Sequence, residues 1–143
     1  MEYDKLTDQQ QLNHDERVAL ARLTMNILQS WGLSAPQQVS LLDMPDDVRP
    51  RTMQRYLHDT PLPDTPGVNE RIAHVLGIAD ALRTSFPLNE QMGSFWLNRA
   101  NKRFANRAPL SVMLEDGLPG VLSVRMHLDC AYDWHIDTKQ AGD

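Results

Sequence analysis

Four side chains near the middle of this sequence, Arg51, Gln54, Arg55 and His58, recur at i, i+3, i+4 and i+7. That spacing puts them on one stripe of an α-helix. A guanidinium offers paired N–H donors to phosphate or to guanine, and a glutamine amide can bond adenine in the same two-pronged way. Met53, Tyr56 and Leu57 fall on the opposite side, where they would seat the helix on a core. Arg49 and Thr52 flank the stripe and suit contacts to backbone phosphates. The plainer account of the same residues is a solvated helix face on which Arg49 and Arg51 pair with Asp46 and Asp47. Both accounts fit the spacing.

Catalytic chemistry has no comparable constellation. His14, His58, His74, His127 and His135 are scattered, and none sits in a zinc-binding pattern. No glycine-rich phosphate loop is present, and Ser111 and Ser123 lack the strand–turn–helix setting of a nucleophile elbow. Asp129 and Asp133 share a helix face while His127 projects elsewhere, and Glu115 with Asp116 reads as a solvated helix end. The chain is expected to bind rather than to catalyse, without metal or cofactor.

With 143 residues and a net charge of −5, the whole surface does not suit wrapping of nucleic acid. The cations are clustered, however. Arg49, Arg51 and Arg55 form one block, and Arg99, Lys102, Arg103 and Arg107 form a second that contains no acid. Two local positive patches suit two anionic partners, or one such partner and a solvated face. No apolar run reaches membrane-spanning length, and the acidic start Met1-Glu2-Tyr3-Asp4 lacks the basic and apolar regions of a secretory signal. A cytoplasmic location is expected. The single cysteine, Cys130, lies beside Leu128 and Ala131 and reads as a buried core residue.

Periodicity predicts an all-α chain of about seven helices. Asn13 with Glu16, and Ser34 with Gln37, have capping-box spacing and open the first two, the first closing at Gly32. A third helix over 48–58 takes Asp46 or Asp47 as its cap. A fourth, long helix from about Asn69 carries Ile72, Val75, Leu76, Ala79, Leu82 and Phe86. Asn89 caps a fifth, whose basic continuation runs to Arg107; Pro109–Glu115 forms a sixth with Gly117 as its cap; and Pro119 opens a seventh through Val121, Val124, Leu128 and Ala131. The pair at 34–43 and 48–58, joined by a tight turn, is helix-turn-helix architecture.

One ordered series stands out in the last third: Trp96-Leu97, Asn101, Phe104, Pro109-Leu110, Met113-Leu114, Gly117, Val124 and Leu128. Each member alone reads as core or helix punctuation, but the series over roughly 89–131 resembles the toxin-binding domain of the Xre/MbcA/ParS antitoxins. The Asn106-Arg107-Ala108 turn lacks the glycine often found there. Leu23 to Phe86, with Arg51-Thr52-Met53-Gln54-Arg55-Tyr56-Leu57, resembles the Xre-type helix-turn-helix half of the same family.

The resemblance implies a flexible arm at 1–12, a helix-turn-helix domain at 13–87, a toxin-binding domain at 88–134 and a tail at 135–143. It implies a RES-domain toxin as partner, an NAD-consuming enzyme whose cleft the antitoxin's last helix and tail cover. Here those residues are Asp129, Tyr132, Asp133, Trp134, His135, Ile136 and Asp137. An aromatic plane flanked by carboxylates could oppose arginines that otherwise hold the phosphates of NAD; the plainer account is a frayed terminus. Operator DNA bound through Arg49, Arg51, Thr52, Gln54, Arg55 and His58, and a homodimer or a larger toxin–antitoxin complex, complete the expectation. The alternative is a stand-alone DNA-binding regulator whose C-terminal half only dimerises the protein.

Overall fold

The first helix starts where its capping box closes. Asn13 Oδ1 accepts from the Glu16 N–H at 2.8 Å, and the Glu16 carboxylate accepts from the Asn13 N–H at 3.1 Å. In the computed structural model, which describes the backbone of residues 9–142 and the side chains of 9–89 and 91–130, this reciprocal bond opens α1, His14–Ser30. Gly32 follows the helix at φ +83°, a left-handed turn that glycine adopts without strain. Ser34 and Gln37 repeat the box and open α2, Ala35–Leu41. The other α-helices are α3 (Pro66–Ser85), α4 (Glu90–Leu97), α5 (Pro109–Glu115) and α6 (Gly117–Gly142). Short 3-10 segments lie at Gln9–Gln11, Pro50–Leu57 and Lys102–Phe104. Among the described residues the chain is all-helical, as expected, with one isolated bridge between Asn101 and Arg107.

Two compact units divide the chain, Met1–Leu76 and Gly77–Asp143, with the division inside α3. In the first, Ala21, Met25, Leu28, Leu41, Leu42, Met53, Leu62, Val68 and Ile72 are buried. Three arginines tie its irregular connections to its helices: Arg17 donates to the Leu62 carbonyl at 3.2 Å, Arg71 to that of Leu41 at 3.0 Å, and Arg22 to that of His58. Arg71 and Arg22 satisfy carbonyls at helix ends, where orphaned acceptors lie and a cation is favoured, and Arg17 satisfies one in the loop before α3. The expected loose arm is anchored from Gln9 onward. The Gln9 side chain is buried, donates to the Pro63 carbonyl and Asn69 Oδ1, and accepts from Arg17 Nε.

The second unit is built on the C-terminal half of α3, with α4, α5 and α6. Leu82, Leu97, Leu110, Val112, Met113, Val121, Val124 and Leu128 form its core. The α5–α6 corner turns at Gly117, φ +67°, and a β-carbon on Gly120 would collide with the Val112 carbonyl, so α6 can lie this close only with glycine there.

Three elements differ from expectation. The helix over 48–58 is a 3-10 segment with Arg49, not Asp46 or Asp47, at its N-cap and no side-chain cap bond. It is short and bracketed by Pro50 and Pro61, and its buried side chains Met53 and Tyr56 recur every three residues, which a 3-10 winding satisfies. The basic continuation of α4 to Arg107 is absent. Asn98 ends the helix, and Asn101 caps a fresh 3-10 turn by accepting the Arg103 N–H at 2.9 Å. Finally, Cys130 is exposed rather than core, because it lies on the opposite side of α6 from Val124 and Leu128.

Candidate functional site

The 3-10 winding redistributes the stripe predicted on the 48–58 helix. With three residues per turn, Arg51 and Gln54 share one row, while Thr52, Arg55 and His58 share the next. The two rows form adjacent ridges over a segment about 16 Å long. Arg49, Arg51, Gln54, Arg55 and His58 are exposed. Thr52 is half-buried and its hydroxyl donates to the Arg49 carbonyl at 2.7 Å, which makes it a brace for the segment's start. Arg55 lies over the Tyr56 ring, 5.5 Å from its centroid. Among the described residues no carboxylate pairs with Arg49, Arg51 or Arg55, so the pairing with Asp46 and Asp47 is not formed. Three guanidinium groups therefore remain available to an anion on one surface of the first unit.

In the second unit the ordered series converges around an aromatic cluster. Trp96 on α4 stacks on His127 of α6 with ring centroids 5.9 Å apart, and Phe104 meets both edge-on, at 6.4 Å from Trp96 and 5.4 Å from His127. Burial, and secondarily the positive charge of Arg103, hold the His127 imidazole below its ordinary pKa. The spacing set His127 apart from Asp129 and Asp133 but did not mark it as the partner of Trp96. The available signal was its position between Val124 and Leu128, next to the inward face of α6.

Asn101 organises the loop before α5. Its carbonyl accepts from the Phe104 and Asn106 N–H groups, and its own N–H donates to the Arg107 carbonyl at 3.1 Å. Ala105 and Asn106 both adopt left-handed backbone, φ 57° and 66°. The turn thus places two non-glycine residues in a conformation glycine would adopt more freely. Arg107 closes the loop against α5, with Nη1 and Nη2 on the two Asp116 carboxylate oxygens at 2.9 and 3.0 Å and Nη2 also on Glu115 at 2.6 Å. Those hydrogen bonds hold the Asp116 carboxyl below its usual range. The second cationic block, acid-free in sequence, is therefore partly neutralised in space. Arg99, Lys102 and Arg103 remain exposed, with Arg99 over the Phe95 ring at 5.6 Å.

Of the residues expected to meet a toxin, Asp129 is exposed, 4.0 Å from Arg125 Nε. The side chains of Tyr132, Asp133, Trp134, His135, Ile136 and Asp137 lie outside the described residues. Their positions fall on α6, whose helical backbone runs on to Gly142. Among the described residues no group of three or more histidine, cysteine or carboxylate side chains is placed to hold a metal ion, and no helix is long and apolar enough to cross a membrane.

Over 104 residues the chain is 34% identical to the uncharacterized protein y4oB of Sinorhizobium fredii, a stretch covering 72% of this chain and 76% of that one. The chain belongs to the same family as that protein. No family model and no solved structure matches it.

Proposed function

We propose that this protein is an antitoxin: it binds a RES-domain, NAD-consuming toxin, covers the toxin's cleft with the end of α6, and represses its own operon by binding DNA through the first unit. The observation that carries the reading is the length of α6. Leu128 is its last core residue among those described, yet the helix continues to Gly142, about 14 positions or roughly 21 Å further. A protein gains little within its own fold from so long a helix beyond its core, whereas a helix laid in a partner's groove uses that length. The residue types on it, Asp129, Tyr132, Asp133, Trp134, His135, Ile136 and Asp137, combine aromatic anchors with carboxylates suited to an arginine-lined phosphate site.

Arg49, Arg51, Arg55 and the neighbouring Gln54 and His58 support the DNA-binding part, since their cations have no carboxylate partner among the described residues. They equally support the alternative of a stand-alone transcriptional regulator. Co-expression separates the two. An antitoxin relieves growth arrest by a RES-domain toxin encoded beside it and co-purifies with that toxin; a regulator without a toxin partner leaves the arrest unchanged.

A further inference from the structure

The outward face of α4 carries an apolar ridge that nothing in the second unit covers. Met92 is 40% and Phe95 55% exposed, at i and i+3 on one face of the helix, and Leu88, in the turn just before the N-cap Asn89, is 99% exposed. The inward face of the same helix holds Gly93 and Leu97. At its C-terminal end the ridge meets Arg99, whose guanidinium lies over the Phe95 ring at 5.6 Å, and Lys102 and Arg103 follow in the next 3-10 turn; all three are exposed cations without a carboxylate partner among the described residues. Met92 and Phe95 on one exposed face, with Leu88 in the turn before it and Arg99 over the Phe95 ring, form an apolar surface edged by positive charge that fits an apolar, acidic helix.

The chain carries one segment of that chemistry. On α6, Met126 is 64% exposed and Asp129 is exposed one turn on, and in the sequence acids recur at 133 and 137 with Tyr132, Trp134 and Ile136 between them. The segment cannot reach the ridge of its own chain. Its His127 stacks on the Trp96 side of α4, and from Val121 to Ala141 there is no glycine or proline at which the helix could turn back. A second copy brings the same segment without that constraint. Because each copy then offers both a ridge and an acidic helix, the contact repeats about a two-fold axis and closes.

We propose that the ridge Leu88, Met92 and Phe95, with Arg99, Lys102 and Arg103, is the docking surface for α6, from Met126 onward, of a second copy of this chain. The free protein is a symmetric dimer held by two such contacts. This pairing does not depend on the antitoxin reading. Where that reading also holds, the dimer covers the segment that meets the toxin, and toxin binding competes with self-association.

Sedimentation equilibrium of the full chain tests the pairing with no toxin present. Wild-type protein is expected at twice its 16.3 kDa mass at micromolar concentration. Phe95→Asp, on an exposed site, should weaken the dimer at least tenfold with unchanged circular dichroism. The Lys102→Glu/Arg103→Glu double variant and Asp129→Lys should each weaken self-association, whereas an equimolar mixture of the two should form a heterodimer, because both of its contacts then join opposite charges. That rescue also decides the matter if Phe95→Asp proves poorly folded. A monomeric wild type at about 100 µM, a folded Phe95→Asp that dimerises like wild type, or a charge-reversed mixture that stays monomeric would each overturn the proposal.

Discussion

Trp96 and His127 stack with their ring planes 3° from parallel, joining α4 to α6 through one tryptophan and one titratable ring. A neutral imidazole fits this half-buried place better than an imidazolium, since burial and Arg103 both disfavour the added charge.

The stack predicts a pH dependence with a definite sign. His127 binds its proton less readily in the folded state than in the unfolded chain, whose histidines titrate near 6.5. Its contribution to stability is therefore fully present above about pH 6.5 and is lost as pH falls through the lower folded pKa. Proton-detected titration of the imidazole should give a midpoint below the ordinary histidine value of about 6.5, and thermal unfolding from pH 8 to 5 should show a loss that His127→Phe removes. A His127 midpoint at or above the ordinary value would refute the assignment.

Ala105 and Asn106 give a stability prediction. Both sit at positive φ without glycine, so Ala105→Gly should raise unfolding free energy by roughly 0.5–1 kcal/mol, the relief of left-handed strain exceeding the added chain entropy. Gly117→Ala, at φ +67° with open space around it, should instead lower stability by about 1 kcal/mol. Urea titrations of both variants measure the two effects. A destabilised Ala105→Gly variant would mean that this turn carries no relievable strain.

For the arginine surface the measurement is a salt series on upstream duplex DNA. On the proposed DNA-binding reading, Arg49→Gln should flatten the slope of log affinity against log salt by about one unit. Arg51→Gln should cost roughly 1–3 kcal/mol and relax preference at one base position. Binding no tighter than to random duplex, with and without the toxin, would remove DNA from the account.

Trp134 is the expected anchor on the toxin. Trp134→Ala should lose about 2 kcal/mol, tens of fold in affinity by calorimetry, and truncation after Tyr132 should abolish neutralisation while leaving the helical fold largely in place. Unchanged affinity in both variants would assign the end of α6 no part in neutralisation.

Helix starts were legible because their signals are local. Asn13 with Glu16 and Ser34 with Gln37 declare their caps within four residues, and both boxes form as read. What escaped the sequence depends on distant partners. The 3-10 winding of Pro50–Leu57 has little local signature beyond its bracketing prolines, and the stop of α4 at Leu97 rests on Asn101, which bonds forward to Arg107 rather than continuing the helix. Cys130 reads as core from its apolar neighbours Leu128 and Ala131, but sequence adjacency does not say which side of a helix a neighbour covers, and Cys130 is exposed. In the site, the acid-free block 99–107 gave no hint that Asp116 and Glu115 would return to Arg107, and His127 had no sequence neighbour to mark it as the partner of Trp96.

An unbroken α6 also works as a compass. Each residue turns the helix by about 100°, so Val121, Val124 and Leu128, locked in the core, fix the rotational phase of the helical backbone that follows. Inserting a single residue after Leu128 would swing the whole extension by about 100° while adding only about 1.5 Å of length, whereas seven residues would return it to within roughly 20° of its heading at about 10 Å greater reach. Natural variation in this segment should therefore arrive in near-heptad steps, and recognition by whatever meets it is encoded as an angle fixed far upstream as much as by the residues that make contact.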